Sequence, residues 1–168
     1  SIPELPETTK KVGVFVDASI QEIATKINQY QLDIIQLHGN ESVIFCKNVK
    51  KFSVEVIKVF SIDSTFNFSV VKEYVLAVDY FLFDTKGKLP GGNGITFDWN
   101  VLENYHFNVP YFLSGGIGTT EIDGIKEFLE SPAANKCYGI DVNSRFEKKP
   151  GTKNKIKLQK FKKLLYEN

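Results

Sequence analysis

The sequence predicts an α/β fold made of successive parallel βα units. Three observations carry that prediction. Six short apolar, β-branched or aromatic runs recur at a mean spacing of about 25 residues, the length of a βα unit. The stretches between several of them carry apolar residues at helical spacing. Nearly every run ends in polar residues or glycine, at the strand ends where parallel sheets gather their ligands.

The runs are residues 12–16, 33–37, 54–60, 80–84, 111–114 and 138–142. Most lack strict polar alternation, so the strands are expected to be buried on both faces, as in a parallel sheet. After the first run, Ile20, Ile23, Ala24 and Ile27 form one helical face. Ser19 with Glu22 makes a capping box at its start. Ile122, Ile125, Phe128 and Leu129 repeat the stripe, with Thr120 and Asp123 at its opening. Leu158, Phe161, Leu164 and Leu165 repeat it again near the C-terminus. Helices are also expected over residues 41–50, 66–74 and 97–105.

Composition narrows the function classes. The 168 residues are 42% hydrophobic and 24% charged, which excludes a disordered or collagen-like chain. A net charge of +1 predicts no strong attraction to nucleic acid or to an anionic membrane. No apolar run approaches the roughly 18 residues of a membrane span, and no signal-peptide pattern opens the sequence. Cys46 and Cys137 form no C-x-x-C pair, which argues against a disulfide framework or a zinc cluster and for a reducing cytoplasm. From Arg145 onward nine Lys/Arg face two Glu, and this run reads as the solvated face of the last helix.

Six units fit a doubly wound open sheet or part of a (β/α)8 barrel. A barrel of this period takes about 200 residues, so roughly 40 would precede residue 12. Six strands alone would leave bare apolar edges, which favours the barrel with its first strand-helix-strand outside the sequence. Residues 1–11 then read as the tail of the second unit, and residues 1–168 as a single, N-terminally incomplete barrel domain.

The strand ends supply Asp17, Gln36, His38, Asp63, Asp84, Ser114, Asp141, Asn143 and Ser144. Two glycine clusters sharpen this set. Gly91, Gly92 and Gly94 lie in a long loop after Asp84, and Gly115-Gly116-Ile117-Gly118 joins a strand to a helix. Glycine lets backbone N–H groups approach an anion closely. Neither cluster is G-x-G-x-x-G, and no G-x-x-x-x-G-K-[ST] is present. Two adjacent units offering anion donors point to phosphate.

Six segments in register resemble the phosphoribosylanthranilate isomerase family. They are Gln36-Leu-His-Gly39, Leu82-Phe-Asp-Thr85, Gly91-Gly-Asn-Gly94, Phe97-Asp-Trp99, Leu113-Ser-Gly-Gly-Ile117 and Gly139-Ile-Asp-Val-Asn-Ser-Arg-Phe-Glu147. The resemblance implies a (β/α)8 TIM barrel, with the six units here as strands 3 to 8. It implies an enzyme of tryptophan biosynthesis that makes the Amadori rearrangement of N-(5′-phosphoribosyl)anthranilate without metal or cofactor, as a cytoplasmic monomer or homodimer. Asp84 is then the general acid. Gln36, His38 and Asp141 line the substrate, and Gly115, Gly116, Asn143 and Ser144 surround its phosphate, with Gly91, Gly92 and Gly94 in a loop near the site. Trp99, Asp98 and His106 are expected to be structural.

The sequence departs from the family in two places. The family's general base is a cysteine in a Lys-x-Cys-Gly motif, which does not occur here. The basic segment that holds the anthranilate carboxylate is also absent, and Arg145 does not match it. Cys46 and Cys137 are expected to be inert thiols. The residues leave open an inactive paralogue, an interaction module with a phosphate-binding barrel remnant, or another cofactor-free sugar-phosphate barrel enzyme.

Overall fold

The computed structural model describes residues 5–85 and 99–166. Gly91, Gly92, Gly94 and Asp98 lie outside the described residues. Six strands form one sheet in chain order: β1 (Val12–Phe15), β2 (Ile34–Leu37), β3 (Glu55–Ile62), β4 (Tyr80–Thr85), β5 (Tyr111–Ser114) and β6 (Cys137–Ile140). The pairs β1–β2, β2–β3 and β5–β6 are parallel. Parallel neighbours need crossover connections, and helices supply them. The helices are α1 (Ile20–Tyr30), α2 (Val43–Lys50), α3 (Ile122–Glu130) and α4 (Lys155–Tyr166). This is the α/β architecture that the 25-residue period predicts.

Local chemistry sets the helix ends. Ser19 Oγ accepts from the Glu22 N–H at 3.1 Å and starts α1, while Gln31, in the left-handed region, ends it. Ser42 Oγ accepts from the Phe45 N–H at 3.2 Å and starts α2. Asn154 Oδ1 accepts from the Lys157 N–H at 3.1 Å and starts α4.

Several elements differ from the sequence reading. Residues 66–74 hold a 3-10 helix, Phe68–Tyr74, and not an α-helix. Trp99–Asn104 is also 3-10, with residues 97 and 98 outside the described set. Each segment has β-branched valine inside it (Val70 and Val71, Val101), which is stiff at χ1 and favours the α-helix little. Thr120 does not cap α3. A 3-10 turn, Thr119–Glu121, intervenes, and the Thr120 hydroxyl donates to the Glu121 carboxylate at 2.9 Å. Leu164 of α4 is exposed, while Phe161 is buried against the Phe146 ring at 4.9 Å. Val12 and Val14 of β1 and Val16 just beyond it are exposed, and among the described residues β1 pairs with β2 alone. A small antiparallel hairpin, β7 (Glu147–Lys149) with β8 (Thr152–Lys153), turns at Pro150-Gly151, where Gly151 has φ +78°.

The described residues fall into two compact units. The first gathers residues up to Phe60 with Ser69–Leu82 and Phe107–Pro110. Its core combines aliphatic side chains, with Ile23 of α1, Ile35 and Leu37 of β2, Val49 of α2 and Val56 of β3 all fully buried, and the fully buried ring of Phe81, which packs on Phe60 at 5.7 Å. The second takes Ser61–Phe68 and the remainder. Its core includes an aromatic cluster, in which Phe68, Phe83, Tyr105 and Tyr111 are linked by ring contacts at centroid distances of 5.1–5.8 Å. The Tyr111 hydroxyl donates to the Ala133 carbonyl, so its polar end is satisfied. Burial pushes the Tyr105 and Tyr111 phenols up.

Candidate active site

The second unit holds most of the expected site residues. Asp84 lies near the end of β4, half-buried. Ser114 ends β5, and its Oγ donates to Asp141 Oδ2 at 2.8 Å. The Asp141 N–H donates to the Leu113 carbonyl at 2.8 Å, so the ends of β5 and β6 are held together by main chain and side chain alike. Gly115 and Gly116 follow at φ +108° and +61°, a left-handed pair that side chains other than glycine resist. The chain can therefore turn sharply after β5 and present its backbone.

After β6, Asn143 and Ser144 are exposed. Asn143 Oδ1 accepts from Lys153 Nζ, which also pairs with Glu147 at 2.9 Å. The hydrogen bond from Lys153 lowers the Glu147 pKa. Arg145 stands over the glycine turn and reaches Glu121 at 3.6 Å. The hairpin thus brings Lys153 beside the expected phosphate residues. The sequence did signal the turn, through Pro150-Gly151.

Gln36 and His38 belong to the first unit. Gln36 is half-buried in β2, in register with Val14 and Ile57. His38 is exposed just beyond β2, and its backbone N–H donates to the Phe15 carbonyl at 2.8 Å.

The loop that carries His38 is pinned by a buried ion pair that the sequence reading passed over. Lys58 Nζ lies 3.0 Å from Glu41 Oε2 and donates to the carbonyls of Leu37 at 3.3 Å, Gly39 at 2.7 Å and Val59 at 3.2 Å. Glu41 Oε1 accepts the N–H groups of Asp17 at 3.0 Å and Gly39 at 3.1 Å. Asp17 has φ +49°, and its Oδ1 accepts the Asn40 N–H at 2.6 Å. Asp17 thus serves the loop. The signal was Lys58 itself, a lone charge in the apolar run Val56-Ile57-Lys58-Val59-Phe60.

Both thiols are poor nucleophiles. Cys46 is buried on α2 and Cys137 is half-buried at the start of β6, and burial pushes each pKa up to about 11. Trp99 is buried and packs edge-on against Phe128 at 5.7 Å, a packing role. Among the described residues no cluster of His, Cys, Asp or Glu could hold a metal ion, and no helix is long and apolar enough to cross a membrane.

Comparison with known proteins gives one answer. The family model for N-(5′-phosphoribosyl)anthranilate isomerase matches residues 3–163. An N-(5′-phosphoribosyl)anthranilate isomerase of Parabacteroides distasonis is 44% identical over 152 residues, covering 90% of this chain and 67% of that protein. One of Phocaeicola vulgatus is 38% identical over 157 residues, covering 94% and 75%. The crystal structure of phosphoribosyl anthranilate isomerase from Thermotoga maritima superposes with a TM-score of 0.74 at 28% identity, covering 96% of this chain and 75% of that one. With these matches running through β1 to α4, the chain belongs to the N-(5′-phosphoribosyl)anthranilate isomerase family.

Proposed function

We propose that this protein isomerises N-(5′-phosphoribosyl)anthranilate to 1-(2-carboxyphenylamino)-1-deoxyribulose 5-phosphate, with Asp84 as general acid and residues 1–168 belonging to a single (β/α) barrel domain. The setting is tryptophan biosynthesis in the cytoplasm, with the protein a monomer or homodimer. Asp84 gives its proton to the ribose ring oxygen. The C1′–O bond breaks, and the anthranilate nitrogen lone pair forms an iminium at C1′. A base then removes the C2′ proton, the electrons form a C1′=C2′ enolamine, and tautomerisation yields the C2′ ketone. Cys46 and Cys137, with their raised pKa values, do not serve as that base.

The observation that carries the assignment within the chain is the Ser114–Asp141 bond beside the glycine turn. Ser114 fixes one carboxylate oxygen of Asp141 and so orients the group toward sugar hydroxyls. Gly115, Gly116, Asn143 and Ser144 offer backbone and side-chain donors to the phosphate. Gln36 and His38, at the end of β2, are the remaining candidates for contact with the substrate.

The test is turnover of phosphoribosylanthranilate, followed by loss of its fluorescence. Asp84→Asn is expected to lower kcat by about 100- to 10,000-fold with little change in KM. Activity within a few-fold of the parent would remove Asp84 from the acid role.

A further inference from the structure

Arg145 is the only arginine of the chain, and the reaction as proposed gives it no task. Its position does. It lies in the 3-10 turn Ser144–Phe146, and its carbonyl accepts from Lys157 Nζ of α4 at 2.6 Å, which anchors the backbone beneath it. A Cβ built on Gly118 would meet Arg145 Cδ at 2.9 Å, and one built on Gly116 would stand 3.9 Å from Arg145 Nη2. The guanidinium therefore lies across the open side of the glycine turn.

Its counter-charge is incomplete. The pair with Glu121 spans 3.6 Å between Nη1 and Oε1, longer than a good hydrogen bond. Glu121 Oε1 is shared with the Thr120 hydroxyl, and Oε2 is buried with no hydrogen-bond partner among the described residues. Lys153, the neighbouring cation, is committed to Glu147 and Asn143. So a half-exposed guanidinium and an under-satisfied carboxylate face each other beside backbone already shaped for an anion.

We propose that Arg145 is a side-chain ligand of the substrate's phosphate, and that Glu121 occupies it when no phosphate is bound. The assignment rests on reading Gly115, Gly116, Asn143 and Ser144 as the phosphate site. A planar guanidinium takes two phosphate oxygens at once, in a geometry that a lysine cannot match. The long pair with Glu121 is weak and gives way at little cost. Glu121 therefore competes with the phosphate, and the phosphate wins by its greater charge.

The experiment titrates inorganic phosphate into the purified protein by calorimetry and measures turnover in parallel. Arg145→Met is expected to weaken phosphate binding by about 10- to 100-fold and to raise KM by a similar factor, with kcat within about threefold. Arg145→Lys recovers part of the loss, which a merely structural role would not predict. Glu121→Gln is expected to tighten phosphate binding by about two- to fivefold at low salt. If the parent binds phosphate and Arg145→Met leaves the affinity unchanged, the Arg145 assignment fails and the phosphate site stands. If the parent binds no phosphate, the site reading itself fails. Weaker phosphate binding in Glu121→Gln would overturn the competition.

Discussion

Lys58 and Glu41 of the first unit are exposed to 3% and 2% and pair at 3.0 Å, whereas Arg145 and Glu121 of the second are exposed to 52% and 15% and stand 3.6 Å apart. Lys58 also meets three backbone carbonyls, and Glu41 two backbone N–H groups. Glu121 keeps one oxygen without a hydrogen-bond partner among the described residues. The first pair joins a strand residue, Lys58 of β3, to the loop after β2, whereas both members of the second lie in 3-10 turns that follow strands. The first is saturated and out of water, which suits a fixture. The second is loose and half in water, which suits groups that exchange partners.

The largest expected effect breaks or keeps that contrast directly. Lys58→Met strands the Glu41 carboxylate without its counter-ion and is expected to cost about 3–5 kcal/mol in urea unfolding. The double substitution Lys58→Met with Glu41→Gln removes both charges and should recover more than half of it. Arg145→Met, in the same assay, should cost under about 1 kcal/mol. Equal costs for the two cations would end the distinction.

Two glycines sharpen it. A Cβ on Gly39 would stand 2.4 Å from Asp17 Oδ1 and 2.7 Å from the Asp17 backbone nitrogen. Neither can yield without disturbing the loop, so Gly39→Ala is expected to cost about 1–3 kcal/mol. A Cβ on Gly118 would meet Arg145 Cδ at 2.9 Å and Glu121 Oε2 at 3.0 Å, both on flexible side chains. Gly118→Ala should cost under about 1 kcal/mol of stability. Its effect should fall on KM, because Arg145 must move.

The smallest effect treats the two units alike. Cys46 and Cys137 have pKa values raised from 9.0 to about 11 by burial. The unfolded chain therefore loses these protons first as pH rises through 9, and stability falls until the folded thiols ionise near 11. At pH 10 the loss is about 1 kcal/mol per thiol, less for the half-exposed Cys137. Cys46→Ala with Cys137→Ala should flatten the slope of stability between pH 8 and 10 relative to the parent, whatever its baseline. An unchanged slope would mean that the thiols are more accessible than the fold places them.

The strands were legible because burial demands continuous apolar runs, and residues 111–114 match β5 outright. The Ser19 cap was legible because its hydrogen bond is local. The two 3-10 segments were not, since Phe68 and Trp99 dock by tertiary packing that overrides a weak helical pattern. Among site residues, Ser114 and Asp141 were visible as polar strand ends, but their mutual bond spans 27 residues. Glu41 was hidden for a similar reason. It reads as an ordinary first-turn acid until Lys58, 17 residues on, is folded against it.

That burial has a bearing on strand alignment. In the parallel ladder Leu37 stands opposite Lys58, with Gln36 opposite Ile57. A slip of β3 by one residue would turn Lys58 to the other face of the sheet and bring Ile57 or Val59 to Glu41. The carboxylate would then be buried against hydrocarbon, a penalty that no apolar contact there offsets. Ile57 and Val59 on either side of Lys58 are both aliphatic and would tolerate either alignment, so the charged residue between them is what tells the correct register from its nearest errors.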